Sequence, residues 1–165
     1  MASAAKPAHK QGPGAKRSAA RLTAVQALYQ MDMTSASADA VIVQFLDPDI
    51  HEELAEGEPM AFDRGLFTQI IRGVTSTRAE LDRVITAALT SEWSMERLEI
   101  ILRRILEAGT YELTERTDVP PRVVITEYVD VAHAFYSGAE PGLVNGVLDR
   151  LARQFRDREM SAGRE

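Results

Sequence analysis

The chain is 165 residues long with no cysteine and a net charge of −6. That length buries a core without disulfides or metal, and the missing thiols rule out a disulfide framework, a thiolate metal site and a cysteine nucleophile. No apolar run reaches membrane-spanning length and no hydrophobic segment follows the charged N-terminus, so the expectation is a soluble, cytoplasmic protein.

The net charge conceals an asymmetry. Residues 1–31 hold Lys6, Lys10, Lys16, Arg17 and Arg21 and no acid, a charge of +5, against −11 for the remainder. A basic arm on an acidic body fits a polyanionic partner, and equally a solvated tail.

In chain order, residues 1–16 read as a disordered basic tail, poor in large apolar groups. Leu22, Val25, Leu28 and Tyr29 then recur at helical spacing, predicting a first helix over about Arg17 to Met33, from which Arg17 and Arg21 project away from the apolar stripe. Ala40 to Leu46 is short enough for a strand, but no second strand-like run exists to pair with it, so it is read as helix. Asp47 to Glu58 carries six acids and reads as a solvated loop.

Pro59 is suited to open the next helix, with Phe62, Leu66, Phe67, Ile70, Ile71 and Val74 on one face. Thr77 followed by Glu80 is a capping-box pattern, predicting that a separate helix starts there and that the chain turns. Trp93, the single tryptophan, reads as a lid on the core. The longest regular stripe, Leu98 to Leu113, predicts a central helix over about Met95 to Arg116, where Gly109 implies close approach by a neighbour.

Pro120 and Pro121 stop that helix and start another carrying Val124, Tyr128, Val131 and Phe135. After a corner at Gly138, Pro141 opens a last helix through Leu143, Val147, Leu151 and Phe155. Seven helices result, an all-α class. The expected domains are a single helical domain over 17–158, with an N-terminal subdomain over about 17–90 and a C-terminal one over about 91–158, and a frayed tail over 159–165.

The chemistry-bearing inventory is thin. His9, His51 and His133 are the only histidines, none paired at metal-ligand spacing, and no phosphate-cradling glycine loop is present. The expectation is therefore no enzyme, no metal and no cofactor. Nucleic-acid binding is better motivated: Lys10, Lys16, Arg17 and Arg21 can neutralise phosphates, and Tyr136 and Leu143 at the corner are candidates for base contact.

Four segments in register resemble a known family. RSAARLTAVQALYQMD, ILEAGTYEL, DVPPRVVITEYVDVAHAF and LVNGVLDRL are similar to motifs of the NusB transcription antitermination family, and together they span about Arg17 to Leu151. The resemblance implies two helical subdomains and a non-enzymatic protein that binds boxA RNA of ribosomal RNA transcripts with the ribosomal protein NusE, loading an antitermination complex on RNA polymerase. It places Arg17 and Arg21 toward RNA and Leu143 where the family usually has an RNA-proximal Phe. Tyr29, Leu102, Arg103 and Glu112 fall where partner contact is expected.

Thr126 stands in place of an Asn, and Glu107 in place of an Arg, a reversed charge that Arg103 and Arg104 are placed to compensate. Asn145-Gly146 reads as a structural pair, with the glycine admitting a neighbouring helix, and Glu127 as a strut between helices. Two other readings stay open: an RNA-recruiting module for a separate cytosine RNA methyltransferase, and a partner-only adaptor or homodimer.

Overall fold

A computed structural model describes residues 12–47 and 61–162. Among them the chain forms seven α-helices and no strand: α1 Pro13–Thr34, α2 Ala38–Leu46, α3 Arg64–Ala88, α4 Ile100–Glu115, α5 Pro121–Phe135, α6 Glu140–Phe155 and α7 Asp157–Ala162, with one 3-10 turn at Met95–Arg97 ahead of α4. The all-α class is as expected. The number of helices also agrees, but they are not the same seven.

The expected turn in the chain falls within α3. Two helical stretches meet there at a kink on Thr77, the residue at which the sequence expected a separate helix to start. Thr77 departs from helical geometry (φ −125°, ψ 18°). Its hydroxyl donates to the Gly73 carbonyl at 2.6 Å, while Glu80 pairs with Arg83. The apolar stripe carries on past the kink: Val74, Leu81 and Ile85 are all buried at helical spacing, so both halves of α3 pack on the same core. Asp157–Ala162, by contrast, is helical where a frayed tail was expected, because Met160 is buried.

Helix starts follow their capping chemistry. α1 begins at Pro13, inside the segment read as tail, with Pro in the first turn, where its missing N–H costs nothing. Ser37 caps α2, its hydroxyl accepting from the Ala40 N–H at 3.1 Å. Asp63 caps α3, accepting from the Leu66 N–H at 2.9 Å, whereas Pro59 and most of the acidic loop lie outside the described residues. Pro121 and Pro141 occupy first turns of α5 and α6.

The central helix α4 packs against α1, α3, α5 and α6. Its Gly109 admits close neighbours as expected: a Cβ there would stand 2.8 Å from Leu148 Cδ1 and 3.3 Å from Tyr128 Cδ2. A second tight approach, unnoticed in the sequence, sets the Tyr111 ring of α4 over Gly73 of α3. Phe67 stacks with Phe45 of α2 at a centroid distance of 5.7 Å, which seats α2 on the core. Trp93 is a half-buried lid.

Two ion pairs fix the direction of α1. Arg21 pairs with Glu112 and Asp32 with Arg104, so α1 runs antiparallel to α4. Tyr128 of α5 also reaches Glu112, and Tyr136 reaches Glu99. α5 therefore runs antiparallel to α4 and parallel to α1.

Candidate nucleic-acid and partner surface

The start of α1 divides its cations by helical phase. Lys16 and Arg17 are exposed. Arg21 lies on the stripe of Ala24, Val25 and Leu28, all buried, and is itself 2% exposed. Its Nε donates to Glu112 Oε2 at 2.8 Å and its Nη2 to Glu112 Oε1 at 2.9 Å. Arg21 Nη1 stands 3.6 Å from Glu127 Oε2. Burial alone would lower the Arg21 pKa, but hydrogen bonding to Glu112 and its charge outweigh that and hold it above its usual value.

This bidentate pair is the geometry in which a desolvated guanidinium and carboxylate satisfy one another. The expectation that Arg21 projects from the apolar stripe toward a phosphate is therefore corrected. Its face points inward and its donors are committed to protein.

The pair is the centre of a larger network. The Tyr128 hydroxyl donates to Glu112 Oε2; burial first, then the Glu112 charge, raises the Tyr128 pKa well above its ordinary value. Ser18 donates to Glu127 Oε2 at 2.7 Å, so Glu127 is the interhelical strut the sequence suggested. Glu112 is fully buried, and a direct partner contact through its side chain is not available in this arrangement. Leu102, at 2% exposure, is likewise core, since it falls on the stripe that α4 turns inward.

The remaining candidates are accessible to different degrees. Tyr29 is 36% exposed, and Met33, one turn on along α1, is more open. Arg103 is half-buried, donating through Nε to the Leu98 carbonyl at 3.0 Å and through Nη2 to Glu96 O at 2.8 Å. It thus ties down the turn before α4, and of the two arginines expected to compensate the reversed charge Arg104 alone bonds Glu107, joined there by Arg78 of α3. Lys10 lies outside the described residues.

Tyr136 is half-buried, its hydroxyl donating to Glu99 Oε2 at 3.0 Å. Burial and then Glu99 raise its pKa. Leu143 lines a hollow of about 220 Å³ with Thr90, Trp93 and Gly142. Asn145 is exposed, and among the described residues a Cβ at Gly146 would meet nothing within 4 Å, so Gly146 does not serve to admit any of the seven helices described.

The corner and the start of α1 do not meet. Tyr128 shares the level of Arg21 through Glu112, Tyr136 stands about 12 Å further along α5, and Arg17 about 6 Å the other way at 1.5 Å per helical residue. The two candidate regions occupy different levels of the bundle, and no hydrogen bond or ion pair joins them among the described residues.

Sequence reasoning also missed Arg156. This side chain is 5% exposed, and its Nη2 donates to the carbonyls of Thr117 at 3.1 Å and Val119 at 2.8 Å. It fastens the α4–α5 connection to the end of α6. Phe155, expected to turn inward as the last apolar member of the α6 stripe, is exposed instead, and Arg156 takes that inward phase, four and eight residues after the buried Ala152 and Leu148.

The model of the NusB family matches residues 18–153. The chain belongs to the NusB family. It is 46% identical to the transcription antitermination protein NusB of Rhodospirillum rubrum, over 95% of this chain and 94% of that one. It is 45% identical to the protein of the same name from Rhodopseudomonas palustris strain BisB18, over 90% of this chain and 88% of that one. Among solved structures, NusB of T. maritima superposes with a TM-score of 0.72 at 25% identity, covering 88% of this chain and 96% of that one. Among the described residues no helix is long and apolar enough to cross a membrane.

Proposed function

We propose that this chain is an RNA-binding transcription antitermination factor that engages boxA RNA together with the ribosomal protein NusE and supports assembly of the antitermination complex on RNA polymerase. The observation that carries the reading is the pair of exposed cations, Lys16 and Arg17, at the start of α1, in a chain whose relatives are named for antitermination. Lys16 and Arg17 supply phosphate contacts, joined by Lys10 from the preceding segment. The corner with Tyr136 and Leu143 lies further along the RNA path. Tyr29 and Arg103 are the partner-facing candidates that retain accessible surface, while Arg21 and Glu112 act from inside as the brace that holds α1 in place.

The test is a titration of boxA RNA, with scrambled RNA as control, in the presence and absence of NusE. Replacing Lys16 and Arg17 together by Ala is expected to weaken binding and to reduce the slope of log affinity against log salt by about 1.4, at about 0.7 per phosphate contact on a single strand. Unchanged affinity and slope in that variant would remove the α1 start from the RNA surface. Equal affinity of the wild type for scrambled RNA would remove the boxA reading.

A further inference from the structure

Four buried polar atoms without a hydrogen-bond partner crowd one place: Nε and Nη2 of Arg78, Oδ1 of Asp82 and Oε2 of Glu107. Each such atom is costly in isolation, so their concentration points to a single cause. Glu107 is fully buried on α4. Its Oε1 accepts from Arg104 of its own helix, and Arg104 in turn donates to Asp32 of α1 at 2.8 and 3.1 Å. From α3, Arg78 Nε stands 3.4 Å from Glu107 Oε2, and the Asp82 carboxyl lies within hydrogen-bonding reach of Glu107.

The cluster thus holds three carboxyl groups, Asp32, Asp82 and Glu107, against two guanidinium groups, Arg78 and Arg104. Fully ionised, it would carry one uncompensated negative charge around the fully buried Glu107, and a carboxyl so withdrawn from water gives up its charge instead.

We propose that Glu107 and Asp82 share one proton across the α3–α4 interface, and that this proton latches the second half of α3 to the central helix. Carried on Glu107 Oε2 and donated to Asp82 Oδ1, it satisfies both orphaned oxygens and brings the cluster to neutrality. Asp82 lies five residues beyond the Thr77 bend, so the part of α3 it fastens is the part whose course the bend has changed. Burial, reinforced by the hydrogen bond to Asp82, pushes the Glu107 carboxyl up to about 8.

The latch makes folding pH-dependent with a definite sign. The unfolded chain releases the Glu107 proton near the ordinary 4.5, while the folded chain retains it to about 8. Between those values the folded state binds the extra proton, so its stability falls as pH rises, by up to roughly tenfold in the unfolding constant per pH unit, and levels off outside the window. Local opening of the α3–α4 seam, which returns Glu107 to water, follows the same dependence.

The test compares urea denaturation of the full chain and of Glu107→Gln at pH values from 5 to 9. Glutamine keeps the shape and an N–H donor toward Asp82 but cannot titrate. The ratio of the wild-type unfolding constant to that of the variant is expected to climb by up to roughly tenfold per pH unit and to flatten above about 8; parallel profiles overturn the latch. Asp82→Asn is expected to bring the flattening to lower pH, and an unmoved profile overturns the role of Asp82. Should Glu107→Gln fail to fold, carboxyl carbon NMR of the wild-type Glu107 decides: a midpoint near 8 supports the shared proton, and one near 4.5 overturns it.

Discussion

Arg21 of α1 and Glu112 of α4, 91 positions apart, meet through two hydrogen bonds of 2.8 and 2.9 Å with both side chains withdrawn from solvent. Removing one member of such a pair strands the other charge in a dry interior. Arg21→Met should cost about 3–5 kcal/mol in folding free energy by chemical denaturation. The double replacement Arg21→Met with Glu112→Leu should be less damaging than either change alone, because no fully buried charge is left unpaired. If the double variant is the least stable of the three, the pair is not the unit described here.

Tyr128 adds the third member of the network. Tyr128→Phe removes only the hydroxyl that Glu112 accepts and is expected to lower stability by about 1.5–3 kcal/mol, the usual range for a hydrogen bond to a charged group. The midpoint of a urea transition should fall while its slope is unchanged.

Two glycines separate packing from propensity. At Gly109 a methyl group would press on Leu148 and Tyr128, both buried, so Gly109→Ala should destabilise by about 1–3 kcal/mol despite its better helix propensity. At Gly146 the same methyl meets open space, and Gly146→Ala should stabilise by about 1 kcal/mol. Thermal melts of the two variants are expected to shift in opposite directions.

Arg156 holds two carbonyls of the α4–α5 connection. Arg156→Ala is expected to free residues 116–119, seen as faster amide hydrogen exchange there, and to cost about 1.5–3 kcal/mol overall. Exchange that rises evenly over the whole chain would instead mark a global loss.

The sequence was legible where burial is carried by apolar periodicity. The stripes of α1, α4, α5 and α6 place those helices, the Pro120-Pro121 break separates α4 from α5, and Gly109 announces a close approach. It was misleading where charge goes inside. Arg21, Glu107, Glu112 and Arg156 are all buried; Arg21 and Glu112 rest on each other across 91 positions, while Glu107 adds Arg78 of α3 to its neighbour Arg104 and Arg156 adds distant carbonyls to its neighbour Glu159, and no local pattern reveals the distant partners. Phase was the available signal: Arg21 sits three, four and seven residues before Ala24, Val25 and Leu28, on the same side of α1. The break at Thr77 was legible because its pattern is local, and it falls where the chain leaves helical geometry.

The half-buried lid over the corner has a practical meaning. Because Trp93 is the sole indole of the chain and shares its hollow with Leu143 and Gly142, the protein carries a built-in fluorophore at one end of the α5–α6 hairpin. Its emission reports on that corner alone, with no label introduced and no background from a second tryptophan, so that whatever arrives at or leaves the hollow can be followed on the unmodified chain.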